Sequence, residues 1–205
     1  MFKKEYNVSP AQSVKSSVQR RLRDKFVEAF PALEPHMDEI MRKADKGHME
    51  SISIRTPKKN VPLYVVKYTP AGSKNPRIDA LCYETEDRLI PHLKLVHRFP
   101  DCFPRVRIDH GAIRFVLSGA SLMIPGLTSP GGRLPDPDSE EGYRYGKQEL
   151  EAGAIVVVEA EGKEHACLVG ILKTGTEQMK KEKKGVAIED ASHYLGDGLW
   201  RLPVD

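Results

Sequence analysis

Histidine, cysteine and carboxylate side chains could ligate a metal or carry a proton, but their spacing in this chain suits neither task. His36, His48, His92, His97, His110, His165 and His193 are scattered, with no His-x-x-x-His pair to set two imidazoles on one helix face. Cys82, Cys102 and Cys167 stand far apart without a Cys-x-x-Cys pair, which argues against a zinc site and against a disulfide framework. No motif around any of the three supplies a base to activate a thiol, and Cys167 lies in an apolar run that suits a small core residue. Asp197 sits between Gly196 and Gly198, where aspartate serves a tight turn better than a general acid. There is no P-loop, no Gly-x-Ser-x-Gly and no dinucleotide fingerprint. The expectation is a binding protein with no catalytic residue, no metal and no cofactor.

Binding chemistry is offered by the stretch from Asp109 to Leu127. Asp109 can cap a short helix whose body is Ile113, Phe115, Val116 and Leu117, and Gly119 can close it in the left-handed conformation. Ala120 and Ser121 keep side-chain bulk low just beyond, Leu122 and Met123 begin a strand, and Pro125-Gly126 reads as a turn. Such a stretch leaves main-chain groups accessible and gives a flat or phosphorylated ligand room to approach. Two readings stand for Phe115 and Met123, whose helix and strand spacing also suits core positions, and the glycines on their own are explained by the turn alone.

The elements that must position this stretch follow in order. Val14, Val18, Leu22, Phe26 and Phe30 recur every four residues and predict a helix with Ser9 as its cap, Pro10 at its first position and Pro31 as its stop. Arg20, Arg21 and Arg23 interleave with them, either as a solvated face or as contacts to RNA. A second short helix is expected from Pro35, then strands over Glu50 to Thr56, Leu63 to Tyr68 and Ile78 to Tyr83, with turns at 45–48, 58–60 and 72–76. A helix from near Pro91 to Phe99 ends this α+β half, and Pro100 to Pro104 marks the boundary between residues 1–103 and 104–205. After a turn-rich acidic loop near 130–147, strands are expected at Gly153 to Glu159 and His165 to Leu172, joined by the turn Glu161-Gly162-Lys163. A helix over Thr176 to Lys184, capped by Thr174 or Thr176 and closed by Gly185, precedes closing strands at 186–188 and 199–202. Short strands and two short helices in about a hundred residues agree with a compact β-barrel.

Composition narrows the function. The chain holds 205 residues, 40% of them hydrophobic and 30% charged, a balance that suits globular folding. No run reaches the about 18 apolar residues of a membrane span, and the polar sequence after Met1-Phe2-Lys3-Lys4 is no secretory leader, so a cytoplasmic location is expected. The net charge of +3 hides an asymmetry: residues 1–110 carry 21 Lys and Arg against 14 Asp and Glu, and residues 111–205 carry 11 against 15. Basic charge gathered in one half is what a surface facing phosphate backbones carries, and many proteins have it without binding RNA.

The stretch from His110 to Leu127, and with it Gly111 to Pro130, resembles the PUA domain, a small RNA-binding module. Together with Met1-Phe2-Lys3-Lys4, Phe30-Pro31-Ala32-Leu33-Glu34-Pro35, Glu161-Gly162-Lys163 and His193 to Trp200, it resembles the malignant T-cell-amplified sequence family over nearly the whole chain. Its members are translation machinery-associated proteins that join an N-terminal domain to a C-terminal PUA domain; the loop near 130–147 departs from the family, in which the connection is shorter. The resemblance implies a non-enzymatic factor that binds the small ribosomal subunit and the acceptor end of tRNA. It also implies a separate partner, density-regulated protein, for ribosome recycling, reinitiation and initiator tRNA placement; in ligatin the equivalent parts share one polypeptide. Phe115, Gly119, Ala120, Ser121 and Met123 become the tRNA-facing candidates, with Lys163 as the nearby cation, and Arg20, Arg21 and Arg23 the candidates for ribosomal RNA. A scaffold without RNA contact and an RNA-binding accessory to an RNA-modification enzyme are the alternatives. In PUA fusions of the latter kind, chemistry resides in a separate, larger domain, and the first hundred residues here show no such constellation.

Overall fold

The structure, a computed structural model, describes residues 7–42, 48–55, 60–85, 88–189, 191–193 and 198–201. The chain divides into two compact units, one running up to Cys102 and the other from Phe103 to Trp200.

The first unit contains β1 (Asn7–Val8), β2 (Gln12–Ser13), α1 (Ser16–Ala29), a 3-10 turn over Pro31–His36, α2 (Met37–Ile40), β3 (His48–Arg55), β4 (Asn60–Tyr68), β5 (Arg77–Thr85), β6 (Arg88–Pro91) and α3 (Leu93–Arg98). Its antiparallel sheet runs β1-β3-β4-β5-β6, with β2 also paired to β3. Central β4 buries Val61, Leu63, Tyr64, Val65 and Val66. It therefore reads as a continuous apolar run and not as an alternation.

Two expectations are corrected here. The first helix starts at Ser16, after Lys15, and not at Ser9 and Pro10. Gln12 and Ser13 pair with Ser51 and Glu50, and the Ser9 hydroxyl accepts the Ser53 N–H at 2.9 Å, so sheet pairing with residues some forty positions away overrides the local start signal. Pro91 closes β6, and the last helix is capped by His92, whose Nδ1 accepts the Lys94 N–H at 3.1 Å. Pro31 does end α1, with Phe30 as its C-cap. The expected turns at 45–47 and 58–59 fall outside the described residues.

The second unit contains β7 (Arg105–Ile108), a 3-10 turn over His110–Ala112, α4 (Ile113–Leu117), β8 (Leu122–Met123), α5 (Pro125–Thr128), α6 (Gly142–Tyr145), β9 (Ile155–Ala160), β10 (Leu168–Ile171), α7 (Thr176–Glu182), β11 (Val186–Ile188) and β12 (Ser192–His193). One sheet runs β12-β10-β9-β7, with β7 parallel to β9 and the other pairs antiparallel; β8 and β11 form a second ribbon. Single bridges Arg107–Arg133 and Leu172–Ile188 add to the closure of a small barrel around Val106, Ile108, Val116, Val156, Val158, Leu168 and Ile188.

The hairpin β9–β10 matches expectation in place, though its second strand is shorter than His165 to Leu172. Residues 199–201 form a turn and not a strand; β12 takes the place beside β10. α7 begins after Gly175 without a side-chain cap, because the Thr176 hydroxyl is engaged with the Leu150 N–H and the Glu149 carboxylate; Lys183 ends the helix ahead of Gly185.

The segment near 130–147 is more than an acidic surface loop. Leu134, Pro135 and Tyr145 are buried, and one helical turn, α6, sits within it. Buried Glu159 on β9 anchors the segment: its Oε1 accepts Arg105 Nη1 at 3.0 Å, and its Oε2 accepts Arg144 Nε at 3.0 Å and the Tyr145 hydroxyl at 3.2 Å. Glu141 pairs with Arg107 at 3.4 Å and with Arg133, whose guanidinium holds the Glu141 carboxyl below its ordinary range. Asp136, Asp138 and Glu140 remain exposed.

Candidate nucleic-acid interface

The site begins where β7 ends. Asp109 Oδ1 accepts the Ala112 N–H at 2.7 Å, capping the 3-10 turn as expected, while Oδ2 accepts the Ser129 hydroxyl and the Asp109 N–H reaches the Gly126 carbonyl at 2.8 Å. One aspartate thus ties the entry of α4 to both ends of α5. On the opposite side of the turn, Glu161 Oε2 accepts the His110 N–H at 2.9 Å, which fixes the β9–β10 turn against the same entry.

The exit of α4 is equally determined. Gly119 adopts φ +79°, its N–H reaches Val116 O at 2.8 Å, and the Ala120 N–H reaches Phe115 O at 3.0 Å. These two bonds form a Schellman stop, which requires the left-handed residue that glycine adopts without strain. The chain then enters β8, whose Met123 pairs with Val186 of β11, and the Ile124 N–H continues the ribbon to Gly185 O at 2.9 Å.

Pro125-Gly126 is not a turn. Pro125 opens α5 at a position where its missing N–H costs nothing, and Gly126 allows α5 to close on the 3-10 turn. A Cβ built on Gly126 would stand 2.9 Å from the Ala112 Cβ.

Between α4, β8 and α5 lies an open cleft of roughly 580 Å³, floored by Gly111, Ala112, Val116, Leu122 and Gly126 and edged by Phe115, Ala120, Ser121, Met123 and Pro125. Phe115 is 52% exposed and Met123 46%, so these two side chains are surface residues of the cleft and not core. Val116 and Leu122, their chain neighbours, are the core residues. The Arg114 guanidinium stands 4.7 Å from the Phe115 ring centroid.

Of the residues singled out in the sequence, Phe115, Ala120, Ser121 and Met123 therefore converge on one cavity. Gly119 shapes it from behind as the helix stop, and Lys163 is exposed on the β9–β10 turn outside the lining. Arg20, Arg21 and Arg23 belong to the other unit; Arg20 and Arg21 are exposed, and Arg23 donates to Asp38 at 2.8 Å. Ala112 and Gly126 line the cleft without having been marked as ligand-facing, since only their mutual close approach reveals that role.

Chemically, the cleft offers an aromatic face, a thioether and an almost wholly apolar lining. Among the described residues no group of three His, Cys, Asp or Glu could hold a metal, and no helix is long and apolar enough to cross a membrane. Cys82 and Cys167 are buried, and burial pushes the Cys167 thiol up to about 12.

Comparison with known proteins follows the same division. A Pre-PUA-like domain matches residues 2–100 and a PUA domain residues 104–194. Translation machinery-associated protein 20 of Saccharomyces cerevisiae is 42% identical over 207 residues, covering all of both chains. The malignant T-cell-amplified sequence 1 homolog of Drosophila melanogaster is 37% identical over 98% of this chain and 95% of its own, and the human malignant T-cell-amplified sequence 2 is 36% identical over 98% of each. Among solved structures, a hypothetical protein of Pyrococcus horikoshii superposes with TM-score 0.62 at 18% identity over 93% of this chain and 98% of its own. A PUA domain from Aeropyrum pernix, solved as a tartrate complex, superposes with TM-score 0.58 at 19% identity over 96% and 91%.

Proposed function

Because the chain belongs to the family of malignant T-cell-amplified sequence and translation machinery-associated proteins, built from a Pre-PUA-like and a PUA domain, we propose that it is a non-enzymatic translation factor of the cytoplasm. In this reading the PUA cleft receives the single-stranded acceptor end of tRNA, while the basic first unit, through Arg20, Arg21 and Arg23, meets ribosomal RNA of the small subunit. A separate protein of the density-regulated kind acts with it in recycling, reinitiation and placement of initiator tRNA.

One observation carries the reading: an open apolar cleft lies between an exposed phenylalanine and an exposed methionine, over a floor in which Gly111, Ala112 and Gly126 flank the buried Val116 and Leu122. Unstacked RNA ends are recognised through base faces laid on aromatic rings, and an exposed ring edges this cleft. Gly119 and Ser121 contribute shape and a hydroxyl, and Lys163 adds charge from the neighbouring turn.

The test is a reconstituted recycling assay with the full chain and its partner. Ala120→Trp fills the cleft from an exposed position and Lys163→Glu reverses the charge beside it. Both variants are expected to fold and to lose tRNA-dependent activity. Parental activity in the Ala120→Trp protein would remove the cleft from the mechanism and favour a scaffold that positions its partner without touching RNA.

A further inference from the structure

The second unit carries an acidic excess, and most of its cations are neutralised: Arg105 and Arg144 by Glu159, Lys173 by Glu189, Lys180 by Glu149. Arg114, Lys183 and Lys184 are exposed and in no ion pair among the described residues. Lys183 and Lys184 lead directly into β11, the strand whose Val186 pairs with cleft residue Met123 and whose preceding Gly185 carbonyl accepts the Ile124 N–H at 2.9 Å. Arg114 reaches the opposite wall of the cleft through its contact with the Phe115 ring, 4.7 Å from the centroid.

The helix alone does not account for this lysine pair. Lys180 and Lys181 already occupy the last turn of α7, where a cation complements the dipole, whereas Lys183 and Lys184 lie past it. Lys183 has φ +53°, the only positive φ of a non-glycine among the described residues. Glycine would make this stop with less strain, yet a long cationic side chain stands there.

We propose that Lys183 and Lys184 grip the phosphates of the RNA strand whose terminal nucleotides enter the cleft, with Arg114 holding the strand from the Phe115 side. This inference rests on the cleft being an RNA site. It assigns the phosphate contacts to the β11 rim, a part of the surface distinct from the β9–β10 turn that carries Lys163. Bases laid on Phe115 and phosphates held by the lysines give the strand one direction across the cleft.

The experiment measures binding of the full chain to a labelled single-stranded RNA with the tRNA acceptor sequence and a free 3′ end, by fluorescence anisotropy across a salt titration. A single strand releases about 0.7 counterion per phosphate contact, so each lost contact should weaken binding about fivefold at about 0.1 M salt. The pair Lys183→Gly and Lys184→Gln should lower the slope of log affinity against log salt by about 1.4. Lys183→Gly removes backbone strain, so its thermal midpoint should hold or rise while its affinity falls, which separates lost contact from lost fold. Lys147→Gln, an exposed cation on the 130–147 segment that is also in no ion pair among the described residues, loses one positive charge and is the control for Lys183→Gly alone.

Parental affinity and slope in the double variant would overturn the inference while leaving the cleft reading intact, as would a loss with Lys147→Gln equal to that of Lys183→Gly alone. Absence of RNA binding by the parental chain at every salt concentration would overturn both. Loss of binding in Ala120→Trp with an unchanged salt slope in the lysine variants would place the phosphates elsewhere.

Discussion

Replacing Phe115 by leucine separates what this side chain does for a ligand from what it does for the fold. Phe115 is 52% exposed at the cleft edge, whereas Val116, its neighbour on α4, is 1% exposed in the barrel core. Leucine keeps an apolar body of similar reach and removes the ring, so the stability change should stay within about 0.5 kcal/mol, the range of ordinary surface substitutions. Base stacking on an aromatic ring contributes about 1 to 3 kcal/mol per base, which is roughly a 5- to 150-fold loss of affinity for single-stranded RNA. Val158→Ala, fully buried on β9 and outside the cleft lining, should behave in the opposite way. Losing two buried methyl groups and leaving a small void costs about 2 kcal/mol of stability, with affinity unchanged once the protein is fully folded. Urea unfolding and RNA anisotropy, each run on both variants, give a crossed pattern. If Phe115→Leu binds RNA as the parent does, the ring is no stacking platform and the argument from its exposure fails.

Gly126→Ala should cost about 1 to 3 kcal/mol, because the added methyl would meet the Ala112 Cβ at 2.9 Å across two backbone segments tied by the Asp109 to Gly126 hydrogen bond; thermal unfolding reads it. Glu159→Ala leaves Arg105 buried without its carboxylate and should cost about 3 to 5 kcal/mol, whereas Arg105→Met combined with Glu159→Leu should recover most of that loss in the same urea titration. Burial, followed by the hydrogen bond to Glu84, pushes the Tyr64 phenol from 10 to about 12. The folded state therefore keeps a proton that the unfolded chain loses first; this contribution to stability is intact below pH 10 and disappears as the pH rises toward 12. Tyr64→Phe should flatten the alkaline loss of stability, and an unchanged slope would assign it to other groups.

Much of the site was legible in the sequence because it is local. Asp109 as a cap and Gly119 as a left-handed stop are decided within three or four residues by backbone geometry, and the structure keeps both. The lysine rim is different. Lys183 and Lys184 read as ordinary complements of a helix end until the pairing of Val186 with Met123, more than sixty positions earlier in the chain, sets them beside the cleft. The false start of α1 has the same origin, since Ser9 and Pro10 fit the local rule and strand pairing of residues 7–13 with β3 decides otherwise. Arg105 and Glu159 gave no signal either, for nothing local marks two polar positions that will be buried together across parallel strands. The exposure of Phe115 and Met123 could not be read from periodicity, because an apolar residue at an edge and one in a core share the same spacing.

The parallel pairing of β7 with β9 sets Arg105 opposite Val157, so fifty residues of chain must be made between the two halves of that contact. During synthesis the segment that shapes the cleft emerges well before the strand that covers Val106 and Ile108. Until then, these greasy positions have no mate, and closing so long a loop delays their burial. A nascent chain halted between Tyr145 and Ile155 would leave Val106 and Ile108 without the strand that covers them.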